Sequence, residues 1–373
     1  MRRTGARGEW SVERKSRIIK KGLRILTAAV VFIVFLLIFQ RLLTPKYMSG
    51  VYEGQLIGEY YAQEKSHDVI IIGDCEVYEN ISPVVLWEEY GITSFIRGSS
   101  QQLIWQSYYL LEETLRYEKP EVVIFSVLAM KYDVPQNEAY NRLTLDGMRP
   151  SASKLRSVRA SMTGNEEWIT YALPLLRYHD RWRELSGDDF RYFFGGEMVS
   201  HNGYMMRCDV KPVTVVPVGV RLPDYRFGDT SYEYLDKITD LCASSGVELV
   251  LLKAPSLYPY WYDEWDEQMS QYAREHGLRY INALELADEI GLDFDTDTYD
   301  AGLHLNLGGA EKLSLYLGGY LSENYGLADH RGDARLIELW GRKSAAYYAM
   351  MDAQQAELEE YGSIRTFTYS IEN

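Results

Sequence analysis

The chain is poor in the residues that build covalent or metal frameworks. It has three cysteines and six histidines in 373 residues. Cys75, Cys208 and Cys242 allow at most one internal disulfide, which excludes a disulfide-built scaffold. His67, His179, His201, His276 and His330 are scattered and show no metal-ligand spacing. The acidic run Asp293-Phe294-Asp295-Thr296-Asp297 lacks the glycine and the distal glutamate of a calcium loop. No metal or cofactor is therefore expected. A basic stripe is also missing. The formal charge is −15, and it is unevenly spread: residues 1–24 carry nine Lys/Arg against two Asp/Glu, and everything after the first apolar run is strongly acidic. Such a body repels nucleic acid, so nucleic-acid partners are not expected. No internal repeat or low-complexity segment occurs.

There is a single long apolar run. Ile25 to Phe39 holds no charge or strong polar group. Extended from Gly22 to Leu43 it would reach about 33 Å as a helix at about 1.5 Å per residue, enough for a bilayer core. Arg24 and Arg41 near its ends are able to snorkel. The basic flank is N-terminal, which predicts a cytoplasmic tail over 1–24 and a main domain outside the cell membrane. Gln40-Arg41 follows the run where a cleavage site of small residues would stand, which favours an uncleaved anchor over 25–43.

A connector over 44–65 leads into alternating strand and helix patterns. Asp68–Ile72, Thr93–Ile96, Glu121–Leu128, Val247–Lys253 and Leu278–Ile281 read as five strands. They are nearly continuous apolar runs, as in strands buried on both faces. Ser82-Pro83 signals a helix start, Thr230-Ser231-Tyr232-Glu233 a capping box, and Asn306 the cap of a late helix. Residues 130–228 have no clean period and read as an insertion, with helical parts at 153–161 and 166–185 and an extended part at 212–223. A helical extension fills 327–373. Strands separated by helices predict a flavodoxin-like three-layer α/β/α domain with a mainly parallel five-stranded sheet over 66–326, behind one N-terminal transmembrane helix. Ligands in such folds bind at the carboxyl ends of the strands.

Gly73-Asp74-Cys75 closes the first strand, Gly98-Ser99 the second, and Asp300 and His304 stand just before the late helix. An early nucleophile followed by an Asp/His pair is one linear order of an acyl-transfer triad. Cys75 would attack a carbonyl, His304 would take and return its proton, Asp300 would orient the ring with Asp297 in reserve, and Gly98 would donate a backbone N–H to the oxyanion. Glu76 would oppose thiolate formation if it pointed inward. Asp74, Ser99, Tyr258 and Trp261 are candidate substrate contacts on the same edge; aromatic residues there are able to stack on sugar faces.

These blocks resemble the SGNH/GDSL hydrolase superfamily over roughly 66–326. Gly73-Asp74-Cys75 matches its first block with sulfur in place of the usual serine oxygen, and Gly98 matches the oxyanion glycine. No asparagine aligns in Ala129-Met130-Lys131-Tyr132-Asp133, and Asp300 lies one residue further from His304 than the usual spacing. The His304-Leu305-Asn306-Leu307-Gly308-Gly309 continuation is similar to a membrane-anchored bacterial branch. That branch includes the teichoic-acid D-alanine transfer protein and cell-surface polysaccharide O-acyl esterases and transferases. The resemblance implies acyl-ester chemistry on a cell-surface glycan or teichoic-acid-like polymer, without a cofactor, alongside a multi-span membrane acyltransferase. The alternative is an inactive fold that binds a glycan or scaffolds an acylation system.

Overall fold

The computed structural model describes residues 6–44, 53–194 and 201–365. The chain divides into two compact units, one of residues 1–45 with 172–196 and one of 46–171 with 197–373.

In the first unit, one helix spans Ala6–Leu43. Its section Arg14–Leu43 is long and apolar enough to cross a membrane, and its side chains from Ile18 to Phe39 stay uncovered. A helix that leaves so much apolar surface unburied is compatible with a single-pass anchor or a signal sequence. Beside its end, Arg181 donates to the Leu43 carbonyl at 3.2 Å and pairs with Asp189 at 2.8 Å. The sequence predicts continuous helix over 166–185; the structure instead breaks it into Trp168–Ala172, Leu175–Tyr178 and the 3-10 turn His179–Arg183. Pro174 lacks the N–H that a helix interior needs.

The second unit is built on five parallel strands: β1 Val69–Gly73, β2 Ser94–Gly98, β3 Val122–Ser126, β4 Glu248–Lys253 and β5 Arg279–Asn282. Their order is β2-β1-β3-β4-β5, with every neighbouring pair parallel. This is the doubly wound α/β arrangement that the alternation predicts. Along β1, β3 and β4 residues of both parities are buried, which requires cover on both faces. One face holds Ile70, Ile72, Phe125 and Leu251 against Trp105, Leu235, Ile238 and Met269, carried by the helices Ile104–Thr114, Asp229–Ser245 and Asp263–His276. The helices Pro83–Tyr90 and Leu307–Tyr325 pack together so closely that a Cβ on Gly318 would lie 2.3 Å from the Tyr90 ring. The final helix, Ala334–Tyr361, joins them by stacking Trp340 on Trp87 with ring centres 5.3 Å apart.

The caps follow the sequence except in one case. Ser82 accepts from the Val85 N–H, Asn306 from Gly309 and Asp333 from Leu336. The expected capping box at Thr230 does not form. The helix begins at Asp229, and its first donors are taken by a distant side chain: Asp133 accepts from Thr230 N at 2.8 Å and from Ser231 N at 3.3 Å. Gly228 makes room for that carboxylate, because a Cβ there would lie 1.9 Å from Asp133 Cγ. A carboxylate at a helix N-terminus gains from both hydrogen bonds and the helix dipole, so tertiary structure displaces the local signal. Asp133→Ala should cost about 1–2 kcal/mol in denaturant unfolding, whereas Glu233→Ala should stay within about 0.5 kcal/mol of the parent.

Candidate active site

β1 and β2 end in register on a glycine each, Gly73 opposite Gly98. A Cβ on Gly73 would lie 2.6 Å from Ser126 Cβ; one on Gly98 would lie 3.0 Å from Val77 Cγ2 and 3.3 Å from the Asp74 carbonyl. The two glycines let the one-turn helix Cys75–Tyr78 sit directly on the strand ends. Asp74 is its N-cap, accepting from the Glu76 N–H at 3.1 Å. It is buried, and burial together with the Glu76 charge raises its carboxyl to about 6. Asp74 therefore builds the turn and is not open to a ligand.

Glu76 turns inward. Its carboxylate meets Lys253 Nζ at 2.6 Å, with both side chains at most 1% exposed, and accepts from Ser126 Oγ at 3.4 Å. Lys253 also donates to the Ala254 and Ser256 carbonyls. This pair joins the end of β4 to the turn after β1 that carries Cys75. The pairing removes the uncompensated repulsion expected of an inward Glu76.

Cys75 is part-exposed. Burial pushes its thiol up and the Asp74 charge adds to this; His304 pulls the other way, and the net position is about 11 against an ordinary 9.0. The resting group is a thiol. The dipole of a four-residue helix does not overcome the surrounding carboxylates.

His304 reaches the same edge from the loop before Leu307–Tyr325. Its Nδ1 lies 2.7 Å from Asp300 Oδ2 and 3.3 Å from Glu79 Oε2. Asp300 Oδ1 also accepts from the His304 and Leu303 N–H groups at 2.8 and 3.2 Å. The loop can fold back this tightly because Ala301 and Gly302 take positive φ values of 66° and 98°. With Nδ1–H committed to a carboxylate, Nε2 is the basic nitrogen. Nε2 is buried and has no hydrogen-bond partner. The thiol and the ring nevertheless interact as neighbours, each displacing the proton affinity of the other. The contact is short of an aligned hydrogen bond, a common state of catalytic pairs without substrate. Burial alone would push the imidazole down; the Glu79 carboxylate, then Cys75 and the Asp300 bond, hold it well above 6.5.

Three residues that the sequence reading did not single out complete this frame. Glu79 follows the Cys75 helix and is buried; the Tyr299 hydroxyl donates to it. Tyr299 also stacks on the His304 ring, with planes 17° apart. Asn80 Oδ1 accepts from the Leu305 N–H at 2.8 Å, locking the Cys75 segment to the histidine loop. Glu79 stands four residues after Cys75, the spacing that puts two residues on one helix face. That signal was available in the sequence. Lys253 likewise stands out as the one charge closing an apolar strand.

The other candidates divide. Gly98 lies beside the Cys75 turn. Lys131 and Tyr132 occupy the loop after β3; burial, then Asp74 and Cys75, push the Tyr132 hydroxyl up to about 12, which puts it within electrostatic range of the thiol. Ser99 is interior, with its hydroxyl shared between Gln102 and Thr144. Trp261 is also interior, packed on Phe227 and Trp265. Neither is an exposed substrate contact: hydrogen bonds with Gln102 and Thr144 hold Ser99 inside, and aromatic packing on Phe227 and Trp265 covers Trp261. Tyr258 remains exposed. Asp297 pairs with Lys312 at 2.6 Å and holds the Asp293 turn; the reserve role at His304 does not arise. Among the described residues, no group of three His, Cys, Asp or Glu is placed to hold a metal ion.

No family model and no curated protein matches the chain. Among solved structures it is similar to a lipolytic protein of the G-D-S-L family from Desulfitobacterium hafniense DCB-2, at 14% identity over 68% of this chain and 99% of that one, with a TM-score of 0.34. It is also similar to a GDSL-like lipase from Bacteroides thetaiotaomicron VPI-5482, at 9% identity over 73% and 98% of the two chains, with a TM-score of 0.33.

Two measurements probe the electrostatics. Lys253→Met, which strands a buried carboxylate, should cost about 3–5 kcal/mol of unfolding free energy, and adding Glu76→Met should recover most of it. The alkylation rate of Cys75, followed on its own peptide by mass spectrometry, should still be climbing at about pH 10, one unit above an ordinary thiol midpoint. Asp74→Asn keeps a good N-cap and removes the charge, so the climb should move to lower pH.

Proposed function

We propose that Cys75, His304 and Asp300 form an acyl-transfer centre in a membrane-tethered enzyme acting on acyl esters of a cell-surface glycan. The observation that carries this reading is the state of His304: Nδ1 is clamped by Asp300, the ring interacts with the Cys75 side chain, and Nε2 is buried with no other hydrogen-bond partner. A buried polar atom without a partner is costly, and here it points to a proton exchange with the thiol.

The chemistry is of the general-base kind, because the thiol does not ionise by itself near neutral pH. His304 Nε2 accepts the S–H proton as sulfur bonds to the ester carbonyl carbon. The tetrahedral oxyanion collapses, the C–O bond breaks, and Nε2–H returns the proton to the departing oxygen. A thioester remains. Water or a sugar hydroxyl then attacks it, again losing a proton to Nε2, and the thiol is restored. Gly98 N–H is the proposed oxyanion donor, and Lys131 and Tyr132 replace the family's asparagine at that edge. Asp300 and Glu79 stabilise the imidazolium that forms at each step. The apolar helix supports a single-pass anchor with a cytoplasmic N-terminus. A multi-span acyltransferase would supply acyl groups to such an enzyme.

The raised thiol favours a second reading, an inactive fold that binds glycan or scaffolds an acylation system. Ester hydrolysis by the full chain, compared with Cys75→Ser and Cys75→Ala, separates the two. On the enzyme reading activity rises with serine, vanishes with alanine and falls about 10²–10⁴-fold in His304→Gln. Three equal rates at background favour the scaffold. Because His304 is held protonated, its base form appears only at raised pH. Activity should therefore increase into the alkaline range, and Glu79→Gln, by removing the leading raising charge, should move that rise to lower pH.

A further inference from the structure

A second feature lies beside the candidate site. From Lys211 to Arg221 the chain reads Lys-Pro-Val-Thr-Val-Val-Pro-Val-Gly-Val-Arg, with no acidic residue between the two basic ends. It forms neither helix nor strand. Pro212 and Pro217 remove backbone donors and keep it from pairing as a strand. Val215, Val216, Val218 and Val220 are all exposed, Val218 by 87%. Single exposed apolar residues are ordinary, but a run of this kind marks an interaction surface.

The run is held out from the body by its own backbone. The Tyr262 hydroxyl donates to the Val220 carbonyl at 2.7 Å and the Tyr258 hydroxyl to the Val215 carbonyl at 3.5 Å. Gly219 sits flush on the Tyr260 and Tyr262 rings, where a Cβ would approach to 2.7 Å. With the carbonyls fastened, the valine side chains are left to solvent. The other end is tied to the histidine loop. Lys211 N–H donates to the Thr298 carbonyl, Val213 N–H to Phe294, and Ala301 N–H to the Lys211 carbonyl.

We infer that this valine strap docks on an anionic lipid surface and brings the Asp300–His304 rim to headgroup level. Charge selects the occupant. Outside the N-terminal helix the chain is strongly acidic, and an anionic bilayer repels such a body at most approaches. The strap presents apolar side chains between two cations and carries no acid of its own; Asp209 just outside it pairs with Arg207 at 2.7 Å, and the exposed Asp224, Asp293 and Asp295 stand on the flanking segments. Apolar residues that enter the headgroup boundary with basic residues beside them are the general pattern of interfacial binding. A membrane-spanning helix in the same chain would keep the strap near such a surface. The substrate class that follows is an acyl donor or acceptor presented at the bilayer surface, and this last step rests on the acyl-transfer reading.

The test uses the full chain in vesicles of phosphatidylcholine with phosphatidylglycerol. Val218→Trp adds one tryptophan to the eight present, and its emission is obtained by difference from the parent. Lipids brominated on the shallow part of the acyl chain should quench that added emission at least twofold. Leu155→Trp, on an exposed helix position, should be quenched far less. Lys211→Ala with Arg221→Ala should reduce the quenching at 218. Equal quenching at 218 and 155 overturns the proposal. So does shielding of position 218 in native membranes that disappears in purified vesicles, which would assign the strap to a protein partner. The readout is depth and not turnover, so an inactive Cys75 and an undocked strap are separate outcomes.

Discussion

The buried pair of Glu76 and Lys253 is the interaction on which the edge of this sheet depends. It brings a carboxylate next to Cys75 and an ammonium at the end of β4 to 2.6 Å, with both side chains almost wholly buried. Desolvating two such ions is expensive, and their attraction offsets it only with good geometry and further hydrogen bonds. Ser126 on one partner and the Ala254 and Ser256 carbonyls on the other supply those bonds. The pair thereby fixes the relative position of three strand ends and of the turn that carries Cys75. Hydrophobic residues of similar volume would hold the layers together, but they would not prescribe which atom meets which.

That arrangement has a chemical consequence at the sulfur. Asp74, Glu76 and Glu79 surround the Cys75 turn; Glu76 is paired with Lys253, and Glu79 faces His304. Burial, and then the Asp74 charge, hold the thiol protonated, while Glu79 leads in raising His304 against its burial. Sites that rely on a resting thiolate do the reverse, surrounding sulfur with positive charge. The environment here suits a hydroxyl nucleophile, whose proton leaves only during attack, better than it suits a thiol. Seen this way, the cysteine occupies a serine's electrostatic setting.

The sequence made the sheet easy to read. β1, β3 and β4 are apolar without interruption, so their type and parallel arrangement follow from burial on both faces. Cys75, Asp300 and His304 were legible because each stands at a strand or helix end with turn residues around it. What the sequence concealed were cooperations between distant residues. Asp133 displaces the capping box at Thr230 because a carboxylate from another loop reaches those N–H groups first. Trp261 and Ser99 look like rim residues in a linear reading, yet the folded insertion encloses them. Glu79's four-residue spacing from Cys75 was visible, but its partners were not; its role comes from the fold bringing the Asp300 loop against the Cys75 helix.

The hydrogen bond from Leu305 to Asn80 spans 225 positions of sequence. Contacts this remote form only after large loops have closed, so they come late. During synthesis the sulfur at position 75 emerges long before its imidazole partner is made. Until then the unburied thiol ionises more readily than in the finished fold, where burial leads in raising it. On the acyl-transfer reading, ester chemistry waits for His304, near the end of the polypeptide.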